Sequence, residues 1–182
     1  MKNNLIISIC LLWITASSAQ VLVSYNKSDD TDLSAFKTFQ VLGFKVETHP
    51  EFEPKRQGLN TLIQEINNQM MARGYAKDTE NAELILNVGV TITKEQQTRE
   101  TDIRDAPMYI GQRNYSWKSE EIVTGTFNEG TVTLDVVDKA SNTMVWQAVV
   151  SSVLSEKREK NTKKIIRGVN KLFKKYPVPA SK

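Results

Sequence analysis

The chain has 182 residues, with 24 lysines and arginines against 21 aspartates and glutamates and a formal net charge of +3. It contains one cysteine, Cys10, and one histidine, His49. One cysteine cannot form a disulfide within the chain, and the two residues together leave a Cys/His zinc site short of ligands. A lone histidine also makes the common Ser-His and Cys-His hydrolases a poor fit. The length suits a single domain of ordinary size.

The amino terminus has the three parts of a secretory signal peptide. Residues 1–4 carry a positive charge, residues 5–15 are largely apolar, and residues 16–19 are small. The apolar run is shorter than the roughly 20 residues that span a bilayer. The sequence therefore predicts a signal peptide at 1–19, cleaved between Ala19 and Gln20, and one exported domain at 20–182. Export excludes ATP, nicotinamide cofactors and nucleic acid as partners, and no transmembrane segment is expected after the signal is removed.

Cys10 lies inside the apolar run, where it could mark the lipid attachment site of a bacterial lipoprotein. Lipoprotein processing prefers a small residue before the cysteine, and Ile9 is large. A cut at Cys10 would also leave the apolar residues 11–14 on the mature protein. We therefore expect a cleaved product that carries no lipid at Cys10.

The first half of the chain predicts two strands and a helix. Residues 21–25 and 37–42 have strand patterns, and a short helical turn capped by Asp32 lies between them at 32–36. Residues 43–56 are predicted to be a loop. A helical period then begins, and Gly74 is expected to end that helix in the left-handed conformation, with Tyr75 folding back onto Met70. The apolar face of this helix consists of Leu59, Leu62, Ile63, Ile66 and Met70.

The second half predicts a long strand at 84–92, a hairpin at 130–154 and a basic helix that Pro177 stops. Between the strand and the hairpin, residues 94–128 form a long polar insertion, which is either mobile or contains irregular strands, with 121–126 as one candidate. These elements predict an α+β fold: an antiparallel-rich or mixed β-sheet with two amphipathic helices packed on one face. The predicted inward-facing residues are Val132, Leu134, Val136, Met144, Trp146, Ala148 and Val150 in the hairpin, and Ile165, Ile166, Val169, Leu172, Phe173 and Tyr176 in the last helix.

Six segments of the chain follow the order and spacing of a known family. They are 23–25, 32–39, Arg73-Gly74-Tyr75, 82–88, 129–138 with Val145-Trp146, and Tyr176-Pro177. Together they resemble an uncharacterised bacterial envelope family, domain of unknown function 4136, from about residue 21 to residue 177. Because members usually look like Gram-negative lipoproteins, the resemblance implies a protein of the periplasm or cell envelope of a Gram-negative bacterium. It brings no established catalytic residues, and the context of Cys10 departs from the lipoprotein pattern.

Two surfaces are candidates for binding. The polar insertion interleaves aromatic and cationic residues, a combination that suits a sugar, a peptide or a partner protein unless the rings fold back onto the domain. The basic helix suits an anionic lipid surface, although a solvated helix packed on the sheet would have the same pattern. The insertion contributes Arg104, Tyr109, Arg113, Tyr115, Trp117 and Lys118, and the helix contributes Lys160, Lys163, Lys164, Arg167, Lys171, Lys174 and Lys175.

Other chemistry finds little support in the sequence. His49 lies in a proline-bounded loop and is expected to be inert. The acidic stretch at 28–32 lacks the glycine and glutamate of a calcium loop. Glu129, Asp135 and Asp138 could form the carboxylate set of a hydrolase, but strand and turn positions explain them.

We therefore predict a non-catalytic binding or accessory module of the envelope, with no metal, cofactor or catalytic residue. Its expected partner is an envelope protein, a glycan or a lipid surface. The alternatives are an envelope hydrolase built from carboxylates, or a peripheral protein that binds anionic lipid through the basic helix.

Overall fold

The computed structural model describes residues 22–28, 31–48, 56–102, 104–105 and 118–181. Six strands form one sheet in the order β1-β6-β5-β4-β2-β3. Strand β2 pairs in parallel with β3 and β4, and the remaining pairings are antiparallel. The predicted α+β fold is confirmed, with a mixed sheet. The strands are β1 (Leu22–Lys27), β2 (Thr38–Thr48), β3 (Ala76–Lys77), β4 (Leu84–Glu100), β5 (Glu121–Asp138) and β6 (Thr143–Val153), and the helices are α1 (Arg56–Met71) and α2 (Arg158–Phe173).

The core lies between one face of the sheet and the two helices. Strand β4 buries every second residue from Leu84 to Ile92, as its alternation predicts. Both helices place their apolar faces in the same buried cluster, so the predicted packing is confirmed. Trp146 of β6 is 1% exposed, which confirms its predicted core position. No helix in the described ranges is long and apolar enough to cross a membrane.

Two short-range signals in the sequence are confirmed in the backbone. Asp32 accepts a hydrogen bond from the amide of Ser34 at 3.0 Å and caps a 3₁₀ turn at Leu33–Ala35. Gly74 follows α1 with φ of 88°. The amide of Gly74 donates to Met71 and that of Tyr75 to Met70, the bond pattern of a Schellman motif.

The predicted loop at 43–56 is wrong over 43–48, because β2 continues to Thr48. The predicted loop begins at Gly43, whereas Gly43 lies inside β2, where its φ of 130° allows the strand to pass a β-bulge. The pairing with β4 skips Leu42, which is left 61% exposed at the bulge. His49 lies outside the described residues.

A second β-bulge makes the predicted inward face of the hairpin wrong at one residue, Met144. Val136 pairs with Trp146 and Val137 with Met144, so Val145 is the extra residue. Val145 is buried, while Met144 is 42% exposed and does not face the core. In α2 the prediction for Ile166 is also wrong, since that side chain is 39% exposed on the flank of the helix.

The described part of the polar insertion forms an arm of two paired strands, with a β-bulge at Thr124. Strand β4 continues to Glu100 and pairs with β5 from Glu121 onward, so the strand expected at 121–126 is confirmed. Side chains at 93–100 are all exposed, because the arm extends past the helices. Near the end of β4, Arg99 donates two hydrogen bonds to Asp105, at 2.6 and 2.7 Å, and these bonds lower the pKa of Asp105.

Candidate functional site

The described residues line an apolar cleft of about 150 Å³ between the sheet, the first half of α1 and the middle of α2. Helix α1 forms one wall, α2 forms the other, and β4, β5 and β6 form the floor. Apart from Ser152, Asn161 and Lys164, the lining residues are aliphatic or glycine. They are Gly58, Leu59, Leu62, Val90, Ile92, Gly130, Val132, Val150, Leu154, Ile165, Gly168 and Val169.

Three glycines line the cleft, and the side chains that they lack leave its space open. A Cβ atom at Gly58 would lie 3.6 Å from Cδ1 of Ile165, and one at Gly168 would lie 3.6 Å from Cγ2 of Val150. Both distances are ordinary contacts, so a methyl group fits at either position, and both glycines line the open space. At Gly130 the space is smaller, since a Cβ there would lie 3.1 Å from Cδ2 of Leu154.

The mouth of the cleft is polar and held by hydrogen bonds. Asn161 of α2 accepts from the amide of Ser155 and donates to its carbonyl, both at 2.7 Å. Lys164 donates to the carbonyl of Val153 at 2.6 Å. A more polar depression of about 410 Å³ adjoins this mouth and shares Gly58, Leu154 and Asn161 with the cleft. The arrangement therefore offers an apolar interior behind a polar rim, which is the usual character of a small-ligand site.

The cleft contains no pair of groups that could transfer a proton. Lys164 is the only titratable residue of the lining, and its ammonium already donates to Val153. Within the described ranges, no group of three or more His, Cys, Asp or Glu residues could hold a metal ion. The geometry is suited to binding an apolar group rather than to acid–base chemistry.

The carboxylates considered for a hydrolase do not come together. Glu129 and Asp135 lie six residues apart in β5, which separates them by about 20 Å, whereas glycosidase carboxylates are about 5 to 10 Å apart. Asp135 instead accepts from Gln147 at 2.7 Å. Asp138 caps the hairpin turn, and hydrogen bonds from the hydroxyl of Ser141 and the amide of Ala140 lower its pKa. A general acid would need a raised pKa.

The family model for the domain of unknown function DUF4136 matches residues 21–178. The chain belongs to this family. No curated protein sequence matches the chain. Among solved structures, a DUF4136 family protein from Bacteroides thetaiotaomicron superposes with a TM-score of 0.55 at 16% identity, covering 89% of this chain and 98% of that one.

Two further structures share the fold with this DUF4136 domain. The PelC dodecamer from Paraburkholderia phytofirmans gives a TM-score of 0.50 at 14% identity, covering 90% of this chain and 100% of that chain. A PDZ domain protein from Parabacteroides distasonis gives 0.51 at 13% identity. That match covers 89% of this chain but spans only 37% of the other. At these identities the likeness is one of fold.

The aromatic and cationic residues expected in the insertion are only partly described. Arg104 and Lys118 are exposed near the end of the arm. Tyr109, Arg113, Tyr115 and Trp117 lie outside the described residues, so this surface stays a prediction.

The basic residues of α2 in the DUF4136 domain lie opposite its apolar face. Five of the seven are exposed, while Lys164 and Lys171 are half-buried. Lys175 extends over the ring of Tyr25 in β1, with its ammonium 5.7 Å from the ring centroid. The basic face and the cleft therefore use opposite sides of one helix, and Lys164 lies at the boundary between them.

Sequence reasoning missed the cleft, although one signal was present. Gly168 lies three residues after Ile165 and one before Val169, a position that adjoins the apolar face of the predicted helix. A glycine there leaves a gap next to the core rather than filling it. The other two glycines come from α1 and β5, and only the fold brings them beside Gly168.

Proposed function

We propose that this DUF4136 domain is a non-catalytic binding module whose apolar cleft receives the apolar part of a ligand. The observation that carries the proposal is the open space of about 150 Å³ between Gly58, Gly168 and the sheet. Well-packed interiors contain few voids larger than a water molecule, so a gap of this size between two helices needs an explanation. A dry cavity of similar size in another protein accepts benzene, so the group received here is about as large as one aromatic ring or a short alkyl chain.

Benzene is a direct probe of this cleft, monitored through the methyl NMR signals of Ile92, Val132 and Ile165. We expect these signals to shift saturably in the native protein. In Gly58→Leu the added isobutyl group fills the space, and the shifts should disappear. The matched variant Gly58→Ala adds one methyl group, so it should keep the shifts. It should also raise the free energy of unfolding by about 0.5–1 kcal/mol, because alanine is the better helix former.

These benzene titrations distinguish a ligand-binding site from a packing defect. The proposal is contradicted if the native protein shows no saturable shift, or if Gly58→Leu keeps the shifts of all three methyl groups. Folding of each variant is checked by its thermal transition, so a lost shift is not mistaken for unfolding.

We further propose that the domain works in the cell envelope after export. The support is the amino-terminal pattern of charged, apolar and small residues in the sequence, with small residues at Ser17 and Ala19. Cells of the native host should yield a mature protein that begins at Gln20, found by mass spectrometry in the periplasmic or membrane fraction. An intact Met1 on protein from the cytosol would overturn this proposal without affecting the one for the cleft.

A further inference from the structure

We infer that the basic face of α2 docks on an anionic lipid surface. The face is defined as Lys160, Lys163, Lys164, Arg167, Lys171, Lys174 and Lys175. At 3.6 residues per turn, the five positions inside α2 fall within an arc of about 100° and extend for about 16 Å along the helix, and Lys174 and Lys175 follow in the turn after Phe173. The buried Val169 and Leu172 lie on the opposite side, in the core. The apolar side of α2 thus packs on the domain, and the cations form a row along its other side.

Within the described residues, no ion pair neutralises the charges of this face. The ion pairs among the described residues are Lys45–Glu47 and Arg99–Asp105, neither of which involves the face. Glu159, in the first turn, is the only acidic residue of α2. Like charges that close together repel one another, so a partner that supplies negative charge along the whole row would be favoured.

A lipid surface fits the borders of this face better than a soluble polyanion does. Ile166 is 39% exposed on one flank of the row. Tyr25, which is 56% exposed, lies beneath Lys175 at the end of the row. Exposed aliphatic and aromatic side chains beside lysines match the chemistry of the headgroup region, where apolar groups and cations are both accommodated. A polyanion would contact the cations and gain nothing from these two side chains.

Vesicle co-sedimentation tests this inference with purified protein whose amino terminus has been defined by mass spectrometry. We expect binding to vesicles of phosphatidylcholine mixed with phosphatidylglycerol, and much weaker binding to phosphatidylcholine alone. Each cation near an anionic surface contributes a factor of about five, so removing three should weaken binding on the order of 100-fold. Added salt should weaken binding of the native protein to the vesicles, since salt screens charges that lie more than about 10 Å apart.

The variant combines Lys163→Gln, Arg167→Gln and Lys174→Gln. These residues are exposed, and their side chains form no hydrogen bond or ion pair within the described residues. The matched control combines Lys37→Gln, Lys77→Gln and Lys139→Gln, which remove the same charge from exposed positions away from α2. The inference is overturned if the two triple variants bind equally, or if phosphatidylcholine alone binds the native protein as well. It is also overturned if the protein is retained on heparin but not by anionic vesicles. Gly58→Leu should bind vesicles normally, so failure of the cleft proposal would leave this result unchanged.

Discussion

Trp146→Ala should lower the free energy of unfolding by about 3–5 kcal/mol, the cost of removing a large aromatic side chain from a packed core. The indole is 1% exposed in β6. Its ring centroid lies 4.9 Å from that of Tyr176 and 6.2 Å from that of Phe173. Domains of this kind are stable by about 5–15 kcal/mol, so this loss would be a substantial share of the free energy of unfolding.

Trp146→Phe is the matched control, because it keeps an aromatic ring in β6. The indole nitrogen of Trp146 has no hydrogen-bond partner within the described residues, so the phenylalanine variant sacrifices no bond there. Its cost should be well below that of the alanine variant. Urea titration measures both, with an unchanged slope and a shifted midpoint. A loss below about 1 kcal/mol in Trp146→Ala would contradict the packing of this cluster.

The periodic elements could be predicted because burial on one face leaves a repeat in the sequence. Leu84 to Ile92 alternate since β4 has one side against the helices. The faces of α1 and α2 follow the helical period for the same reason. The end of α1 was also predictable, because glycine adopts the positive φ at Gly74 without strain.

Bulges could not be predicted from one strand alone. Leu42 and Val145 are extra residues relative to their partner strands, so their positions depend on pairing that the local sequence does not record. The β4 side of the arm, at 93–100, was not predicted for a different reason. Its residues at 93–100 are exposed on both faces, and a strand with no buried face shows no alternation of apolar and polar residues.

The cleft depends on residues far apart in the sequence. Gly58, Gly130 and Gly168 belong to α1, β5 and α2, and each alone is an ordinary glycine. The basic face, by contrast, is visible in the sequence of one helix. What the structure adds is that Lys164 is already bonded to Val153, so this lysine also forms the rim of the cleft. The two proposed sites therefore share one helix and can be tested by different variants.

Alkaline pH should destabilise the domain through a buried phenol. Tyr176 is 5% exposed, and its hydroxyl donates to that of Tyr75 at 3.3 Å, which in turn donates to the carbonyl of Leu33 at 2.8 Å. Burial, followed by the contact with Tyr75, raises the pKa of Tyr176 well above the usual value of about 10. The folded state therefore keeps this proton where the unfolded state has lost it. The stability that this proton provides is complete below about pH 10 and is lost as the pH rises further.

Above about pH 10, the free energy of unfolding should fall by about 1.4 kcal/mol per pH unit for this one group. Tyr176→Phe keeps the ring and has no proton to lose, so the slope should decrease by that amount. Its cost at neutral pH should be only about 1 kcal/mol, the value of one hydrogen bond. Tyr25→Phe is the control, since it removes the same hydroxyl group from a side chain that is 56% exposed. Urea titrations across the alkaline range measure both variants. If the slope of Tyr176→Phe equals that of the native protein, Tyr176 is not the group that titrates on unfolding. In that case the hydrogen bonds from Tyr176 through Tyr75 to the carbonyl of Leu33 do not couple the turn after α2 to the core.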